Sequence, residues 1–585
     1  VKLRRDLFSK LSHNHPRLFL TGKRLRMLQG GSADNALASL KTMVLLQADA
    51  LLQTEPSEFK IVGPRMLETC QQVFRRVATL ALAFRMTGLQ RYLDRARVEL
   101  LAAANFPHWN PDHFLDTAEL CSAFAIGYDW LHDSLPDSDR CWIRETLVNK
   151  ALKPGLELQQ KPAWWVSVRH NWNTVCNGGL AIGAMALAED EPQLARQIIN
   201  TSVAKMRVAQ DSFAPDGAWE AGPHYWEYTV WYSALTSDAL KTALGTDMGL
   251  CARTGFHRAG LFALHCSGPS GKYFNFADSD ESPAARPALF WLGKQFKLPN
   301  CVAENHRQLQ LRGQGHPFDL IWYQRLPKLV PGLPNCAYFR RSEVVFMRTG
   351  WSDSDALFVG IKGGSGQSDH AHLDLGSFVF VAAGVRWASD LGPDDYDLPG
   401  YWDSSKDGQR WKYYRLNNLS HNTLALNGHS QDPMSTTLVL RMADKGSFRY
   451  VIVDLSAAYS LDTASLLRGV AIVEGCGVLV QDEIVWRQDT EDRLFRWQMI
   501  TDAKVVVNAS EATLNKEGRS LHARILSPDG ATFSIACSSR KSPENPNIGY
   551  RQLVVEKRES GVDTRIAVQL SVKPFETSMV PLESW

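Results

Sequence analysis

From about residue 35 to 300 the apolar residues recur at helical spacing, in segments of roughly ten to twenty residues separated by short Gly, Pro or Asp punctuation. Val73, Leu80, Leu82 and Phe84 begin one such segment and Tyr92 to Ala104 form the next, joined through Thr87-Gly88. A second pair runs from Leu180 to Ala188 and from Leu194 to Ala209, joined through Glu191-Pro192. Antiparallel helix pairs cannot bury both faces alone, so the pattern predicts a stack of hairpins, as a solenoid or a closing ring.

After about residue 335 the period changes to short β-branched and aromatic runs broken by Gly, Asp and Asn. Val344-Val345-Phe346, Phe378-Val379-Phe380-Val381, Tyr450-Val451-Ile452-Val453 and Leu553-Val554-Val555 read as antiparallel strands of a sandwich or of stacked sheets. The Pro-rich stretch from Leu326-Pro327 to Pro334-Asn335 is the linker candidate. The expected organisation is a helical domain over 1–330 and an antiparallel β domain over 335–585, with a cleft as the default place for a site.

Composition narrows the function classes. With 585 residues, of which 44% are apolar and 22% charged, the chain can bury a large core, which excludes a disulfide miniprotein and a disordered tail. The net charge of +2 gives no global basic field, so no nucleic-acid partner is expected. The ten cysteines form no C-x-x-C pair, which removes support for zinc fingers and thioredoxin-like motifs. No apolar run is long enough to span a bilayer, and Val1 to Asp6 lack the apolar stretch of a signal peptide. Because the chain starts at Val, a leader already removed is one expectation, which implies a secreted or periplasmic protein. Oligomeric state is not legible in this pattern.

Four segments concentrate polar residues that a plain core does not require. The first is Arg169-His170-Asn171-Trp172-Asn173 ahead of an apolar helix, where amides could also serve as N-caps. The second runs from Asp216 to Tyr228, where Pro223 can open a helix and put His224 and Tyr225 in its first turn. The third, Gly363 to Asp374, contains His370-x-His372; on an extended stretch both imidazoles share a face, about 6 to 7 Å apart at Cα. That suits two metal ligands, or one ligand and one catalytic group. The fourth comprises Asp390, at the end of a strand, and Ser420-His421-Asn422-Thr423. His372, Asp390 and His421 together suit zinc or another divalent cation, or a hydrogen-bonded polar cluster.

At these segments the sequence resembles the heparinase II/III-like polysaccharide lyases. The resemblance rests on Asn171-Trp172, Asp216-Gly217 with Glu220 and Pro223-x-Tyr225, His370-x-His372 with Asp374-x-Gly376, Asp390-x-Gly392, and Arg415 with His421-Asn422-Thr423. It implies an incomplete (α/α) toroid followed by an antiparallel β-sandwich. It further implies β-elimination on a uronic-acid-containing acidic polysaccharide, a glycosaminoglycan such as heparan sulfate, hyaluronan or chondroitin, with alginate or oligo-alginate as the runner-up. Tyr225 matches the family's catalytic tyrosine and His370 the histidine reaching the cleft from the β domain. His372, Asp390 and His421 match the metal-binding trio, with zinc first and manganese or calcium as alternatives, in a structural role. Asn171, with His170 or Asn173, falls where the family neutralises the substrate carboxylate, and Glu220 where related enzymes keep an acid.

The chemistry calls for these residue types. Removing the C5 proton of a uronate creates a dianion, so donors must first offset the carboxylate charge, each worth about 3 to 4 kcal/mol at a developing charge. Asn171 and His170 are of that type. Tyr225 can donate a proton to the departing oxygen, and can also act as base if nearby groups lower its pKa; His370 is the base for the opposite C5 epimer. Tyr401, Trp402 and Arg415, in the Gly/Asp-rich insertion between Asp390 and His421, and His224 are candidates for binding substrate, with a structural role for Arg415 as the equal alternative. Two other classes fit less of the pattern. A carbohydrate-binding protein would explain the 18 Trp without needing Tyr225 and His370 to converge. A glycoside hydrolase needs a second acid in the β segments, where none has comparable support.

Overall fold

The computed structural model describes residues 7–585 except 32, 283–286, 574 and 577–578. Val1 to Asp6, read above for a leader, lie outside the described residues. The chain divides into two compact units: Val1–Gly217, Glu227–Gly260 and Ala284–Pro331 form the first, and Ala218–Trp226, Leu261–Pro283 and Gly332–Trp585 the second.

The first unit is an incomplete (α/α) toroid built from successive antiparallel helix pairs. Leu67–Thr87 is followed by Gln90–Ala104, Phe114–Leu131 by Asp137–Leu147, and Asn171–Ala186 by Pro192–Gln210. The first helix of each pair packs on the first helix of the next, making an inner layer. Phe114–Leu131 is buried along its whole length, whereas Gln90–Ala104 buries only one face. This is the difference between a helix covered on all sides and one with a solvated stripe. Gly88, at φ 70°, ends Leu67–Thr87 in the left-handed conformation that a C-terminal glycine supplies. Close approach of the inner helices needs Gly179, where a Cβ would lie 2.5 Å from the Ala118 carbonyl oxygen. Among the described residues no helix is long and apolar enough to cross a membrane.

The second unit is antiparallel. One sheet follows chain order through Cys336–Phe339, Val344–Arg348, Phe358–Lys362, Phe378–Ala382 and Val385–Ala388. A larger sheet is centred on Thr463–Val473, Gly477–Trp486 and Asp563–Ser571, and a smaller one holds Leu424–Leu426, Leu494–Thr501, Arg551–Arg558 and Phe533–Cys537. Val345, Val359 and Phe380 from the first sheet, Trp497 and Val555 from the smallest, and Val453, Val470 and Val480 from the largest share one apolar core.

Strands Val344–Arg348 and Phe378–Ala382 are buried at every position, so their sheet must be covered on its second face as well. The segment Leu261–Pro283 supplies that cover: Phe262 and Phe274 pack edge-on to Phe346, and Gly360 leaves room for the Phe274 ring. This is why a stretch of the helical half of the sequence clusters with the β unit.

Candidate active site

Asn422 and Thr423 explain the His-Asn-Thr signature in structural terms. The Asn422 amide donates to the carbonyls of Phe378 (2.6 Å) and Ser389 (2.9 Å) and accepts from the Ile500 N–H (2.6 Å). Thr423 donates to the Leu375 carbonyl at 2.8 Å. Arg468 donates to the carbonyls of Gly376 and Asn422 at 2.9 and 2.8 Å while paired with Asp482. All these groups are buried, so each bond satisfies a polar atom that would otherwise be stranded. Together they hold three segments in register and fix His421 beside Asp390, with Nδ1 2.9 Å from the carboxylate.

Asp278, on the loop from Asn275 to Ser279, is the hub of the site and was not among the sequence candidates. Its side chain is fully buried and receives four donors. His370 Nδ1 meets Oδ2 at 2.7 Å; His372 Nε2, the Tyr401 hydroxyl and Arg410 Nη2 meet Oδ1 at 2.7, 2.8 and 3.1 Å. Burial alone would raise the carboxyl pKa, but Arg410 and the two histidines outweigh it and hold the group well below the ordinary range. Burial also pushes the His372 pKa down. Asp390 outweighs the same effect at His421 and moves its pKa up.

Tyr225 lies in the first turn of the helix Gly222–Leu244, as Pro223 predicts. Its ring stacks on His370 with centroids 3.8 Å apart and planes 14° from parallel, and its hydroxyl hydrogen-bonds the Tyr396 hydroxyl at 2.7 Å. Burial, followed by the charge of Asp278, pushes the phenol well above its ordinary value. Burial and the charge of Asp278 thus work against the lowered pKa on which a base role for Tyr225 depends. Trp402, 52% exposed, meets His370 edge-on at 5.5 Å and Tyr396 at 4.9 Å, giving the site an open aromatic wall.

Other candidates are placed differently from their sequence reading. The backbone turns at His370, φ 59°, so the His370-x-His372 segment is not one extended stretch, and the two rings converge on Asp278. Tyr401, a candidate for binding substrate, is fully buried and its hydroxyl is committed to Asp278. Arg415 ties the Pro393 carbonyl to Asn547 at 2.7 Å each, the structural alternative considered for it. Glu220 pairs with Arg341 at 3.1 Å, and burial raises its pKa. His224 is half exposed, 3.9 Å from Asp280.

In the helical unit, Asn171 to Asn173 lie inside the first turn of Asn171–Ala186 instead of ahead of it, with His170 at the N-cap position. Asn173 donates to the Val166 carbonyl at 3.0 Å, whereas the buried Asn171 Oδ1 has no hydrogen-bond partner among the described residues.

Nδ1 of His372 and Nε2 of His421 are buried and have no hydrogen-bond partner among the described residues, and the two ring centroids lie 5.3 Å apart. Among the described residues, only His15, His132 and Glu189 bring three potential metal donors within 4.8 Å of one another. His372, Asp390 and His421 are neighbours at a wider spacing.

Asp278 and Tyr396 were missed for a common reason. Each lies in a short acidic run, Asp278-Ser279-Asp280-Glu281 or Asp394-Asp395-Tyr396-Asp397, that reads as a solvated loop. The available signal was the aromatic residues beside or inside those runs, Phe274 and Phe276 just before the first and Tyr396 within the second, which a solvated loop does not need.

A helical (α/α) unit followed by an antiparallel β unit, with tyrosine, histidine and carboxylate gathered in the latter, defines the structural class. Residues 338–567 match the model of the family described as Heparinase II/III-like, C-terminal. Among solved structures, the chain is similar to a mutant of the heparan sulfate lyase HepC from Pedobacter heparinus: 13% identity, TM-score 0.62, covering 95% of this chain and 85% of that one. It is similar to a heparinase III with 13% identity and TM-score 0.63, over 97% of this chain and 93% of that one. At this identity the likeness is one of fold. A comparison with curated proteins finds no match.

Proposed function

We propose that the chain is a polysaccharide lyase that cleaves a uronic-acid-containing polysaccharide by β-elimination, leaving a 4,5-unsaturated uronate end. The glycosaminoglycans are the substrate class we favour, since the solved structures of similar fold include a heparan sulfate lyase. The observation that carries the proposal is the Tyr225–His370 pair. A phenol held protonated by burial is stacked on an imidazole whose Nδ1 is bound by a buried carboxylate.

Elimination needs a base at C5 and an acid at the departing C4 oxygen. Tyr225 keeps its proton and can give it to the leaving oxygen. His370 donates from Nδ1 to Asp278, so in the neutral ring Nε2 carries the lone pair that can take the C5 proton. The charge of the substrate carboxylate must be offset by donors, a role the family resemblance gives to Asn171 with His170. Asn173 is already committed to the Val166 carbonyl.

The donor set of His372, Asp390 and His421 fits a divalent metal such as zinc, because one buried nitrogen on each imidazole is unsatisfied and an ionised carboxylate lies beside them. Bound there, the ion would supply a cross-link between the segments carrying these residues. His370, two residues from His372, would be steadied by it.

Incubating the protein separately with heparan sulfate, hyaluronan, chondroitin and alginate tests the proposal. A rise in the ultraviolet absorbance of the conjugated uronate with a glycosaminoglycan is expected. New reducing ends without that absorbance would indicate hydrolysis, and binding without either would indicate a carbohydrate-binding protein; both outcomes sink the lyase reading.

A further inference from the structure

We propose that Asp278 is the positioning residue of the site, and that its single carboxylate holds the two histidines of the His370-x-His372 pair in opposite tautomers. The inference rests on the lyase reading for the role of His370, but its geometric content stands apart from it.

An ionised carboxylate only accepts hydrogen bonds, so each ring nitrogen facing it carries a proton. His370 faces Oδ2 with Nδ1, at 2.7 Å, and His372 faces Oδ1 with Nε2, at 2.7 Å. In its neutral form His370 is thereby the Nδ1–H tautomer, with its lone pair on Nε2. His372 is the Nε2–H form with its lone pair on Nδ1, the buried nitrogen that has no partner. One carboxylate thus leaves opposite nitrogens of the two rings for other use: Nε2 of His370, which lies 3.7 Å from the Asp369 carboxylate, and the buried Nδ1 of His372. Tyr401 and Arg410 complete the coordination of Oδ1 and prevent the carboxylate from rotating.

Backbone strain on both sides of this contact supports a built arrangement. Ala277, beside Asp278, has φ 58° and His370 has φ 59°, left-handed values that are unfavourable for a residue with a Cβ. Such conformations persist where the surroundings over-determine them. The Asp278 loop is clamped from two directions. Gly222 lies so close that a Cβ would meet the Phe276 carbonyl and Ser279 Oγ at 2.4 Å, and Asn275 donates to the carbonyls of Ser279 and Asp390 at 3.3 Å. The turn that presents Tyr225 and the stretch that carries Asp390 therefore both rest on the loop that aims Asp278.

The test combines kinetics with the histidine tautomers. In wild-type protein labelled with 15N at histidine, with His370 and His372 signals assigned by their loss in H370Q and H372Q, His370 should show Nδ1–H and His372 Nε2–H. The same tautomer at both positions would overturn the proposal, and this measurement needs no variant at Asp278. In D278N, whose amide offers one acceptor oxygen in place of two, kcat should fall about 10- to 100-fold with KM within about threefold, and the His370 tautomer should become mixed. Unchanged kcat, or an unchanged His370 signal, would overturn it. Full activity in H370Q would sink the base role of His370 instead, and the tautomer result would still stand or fall by itself.

Discussion

The histidines and carboxylates around His15 in the helical unit and those around His372 in the β unit differ in what their ring nitrogens have left to offer. In the helical unit His15 stacks on His132 with centroids 3.9 Å apart and planes 12° from parallel. The nitrogens of His15 are taken: Nδ1 by Asp129 at 2.7 Å, and Nε2 by Glu189 at 3.0 Å and by the Arg17 guanidinium. Stacked imidazoles have parallel planes, so their in-plane lone pairs cannot converge on one ion without reorientation. Asp129 also accepts the backbone N–H groups of Arg17 and Leu18. In the β unit the histidines are tilted against one another or stacked on tyrosine, and His372 and His421 each keep one unspent nitrogen. Proximity of donors is common to both groups. What separates them is whether hydrogen bonding has consumed the lone pairs.

The contrast can be broken in four ways, in decreasing order of expected effect. Tyr225→Phe removes the proposed acid while keeping the stacked ring, and should lower kcat for formation of unsaturated uronate by about 10²- to 10⁴-fold. Activity equal to wild type would remove Tyr225 from the chemistry. Asp129→Ala strands two backbone donors and the Arg17–His15 pair in the helical unit, and should lower the unfolding free energy by about 3 to 5 kcal/mol in denaturant titrations. The kcat of its folded fraction should stay within about twofold of wild type; a large loss there would mean that this group, too, serves the reaction.

The third concerns the ion. Elemental analysis after dialysis against zinc should find the metal in wild type and in His132→Ala, and lose it in His421→Ala. Zinc at a hundredfold excess over Kd should stabilise wild type by about 3 kcal/mol and leave His421→Ala unmoved. Retention by His421→Ala with loss in His132→Ala would reverse the assignment of the two groups. The smallest effect is expected at Trp402→Ala, which removes the exposed ring beside His370. Loss of one aromatic contact of about 0.5 to 1.5 kcal/mol should raise KM roughly two- to tenfold with kcat nearly constant.

Much of the fold was legible because its signals are local. Gly88 falls after the last apolar position of Leu67–Thr87, and the structure ends the helix there in the left-handed conformation. The runs at 344–346, 378–381, 450–453 and 553–555 all lie within strands. Pro223 announced the helix that carries Tyr225. The segment 261–283 was assigned by texture to the helical half, yet it covers the first sheet of the β unit, because an apolar strand run does not say what will bury its second face. Within the site, residue type and spacing made Tyr225, His370, His372, Asp390 and His421 candidates, and the family resemblance supplied the roles expected of them. Asp278 could not, since its importance comes from being the common acceptor of side chains about 90 to 130 positions away.

What the sequence by itself determined was the change of period from helix to strand, the two-part architecture that follows from it, and the residue types capable of acid–base and ligand chemistry. These depend on neighbours within a turn or a strand. The tertiary structure alone decided the protonation and aim of those residues. Burial keeps the proton on Tyr225, one carboxylate sets two adjacent histidines in opposite orientations, and hydrogen bonding closes off His15 while leaving His372 and His421 with a lone pair each. Desolvation and long-range hydrogen bonding depend on what the folded chain packs around a group, which no spacing along the chain encodes.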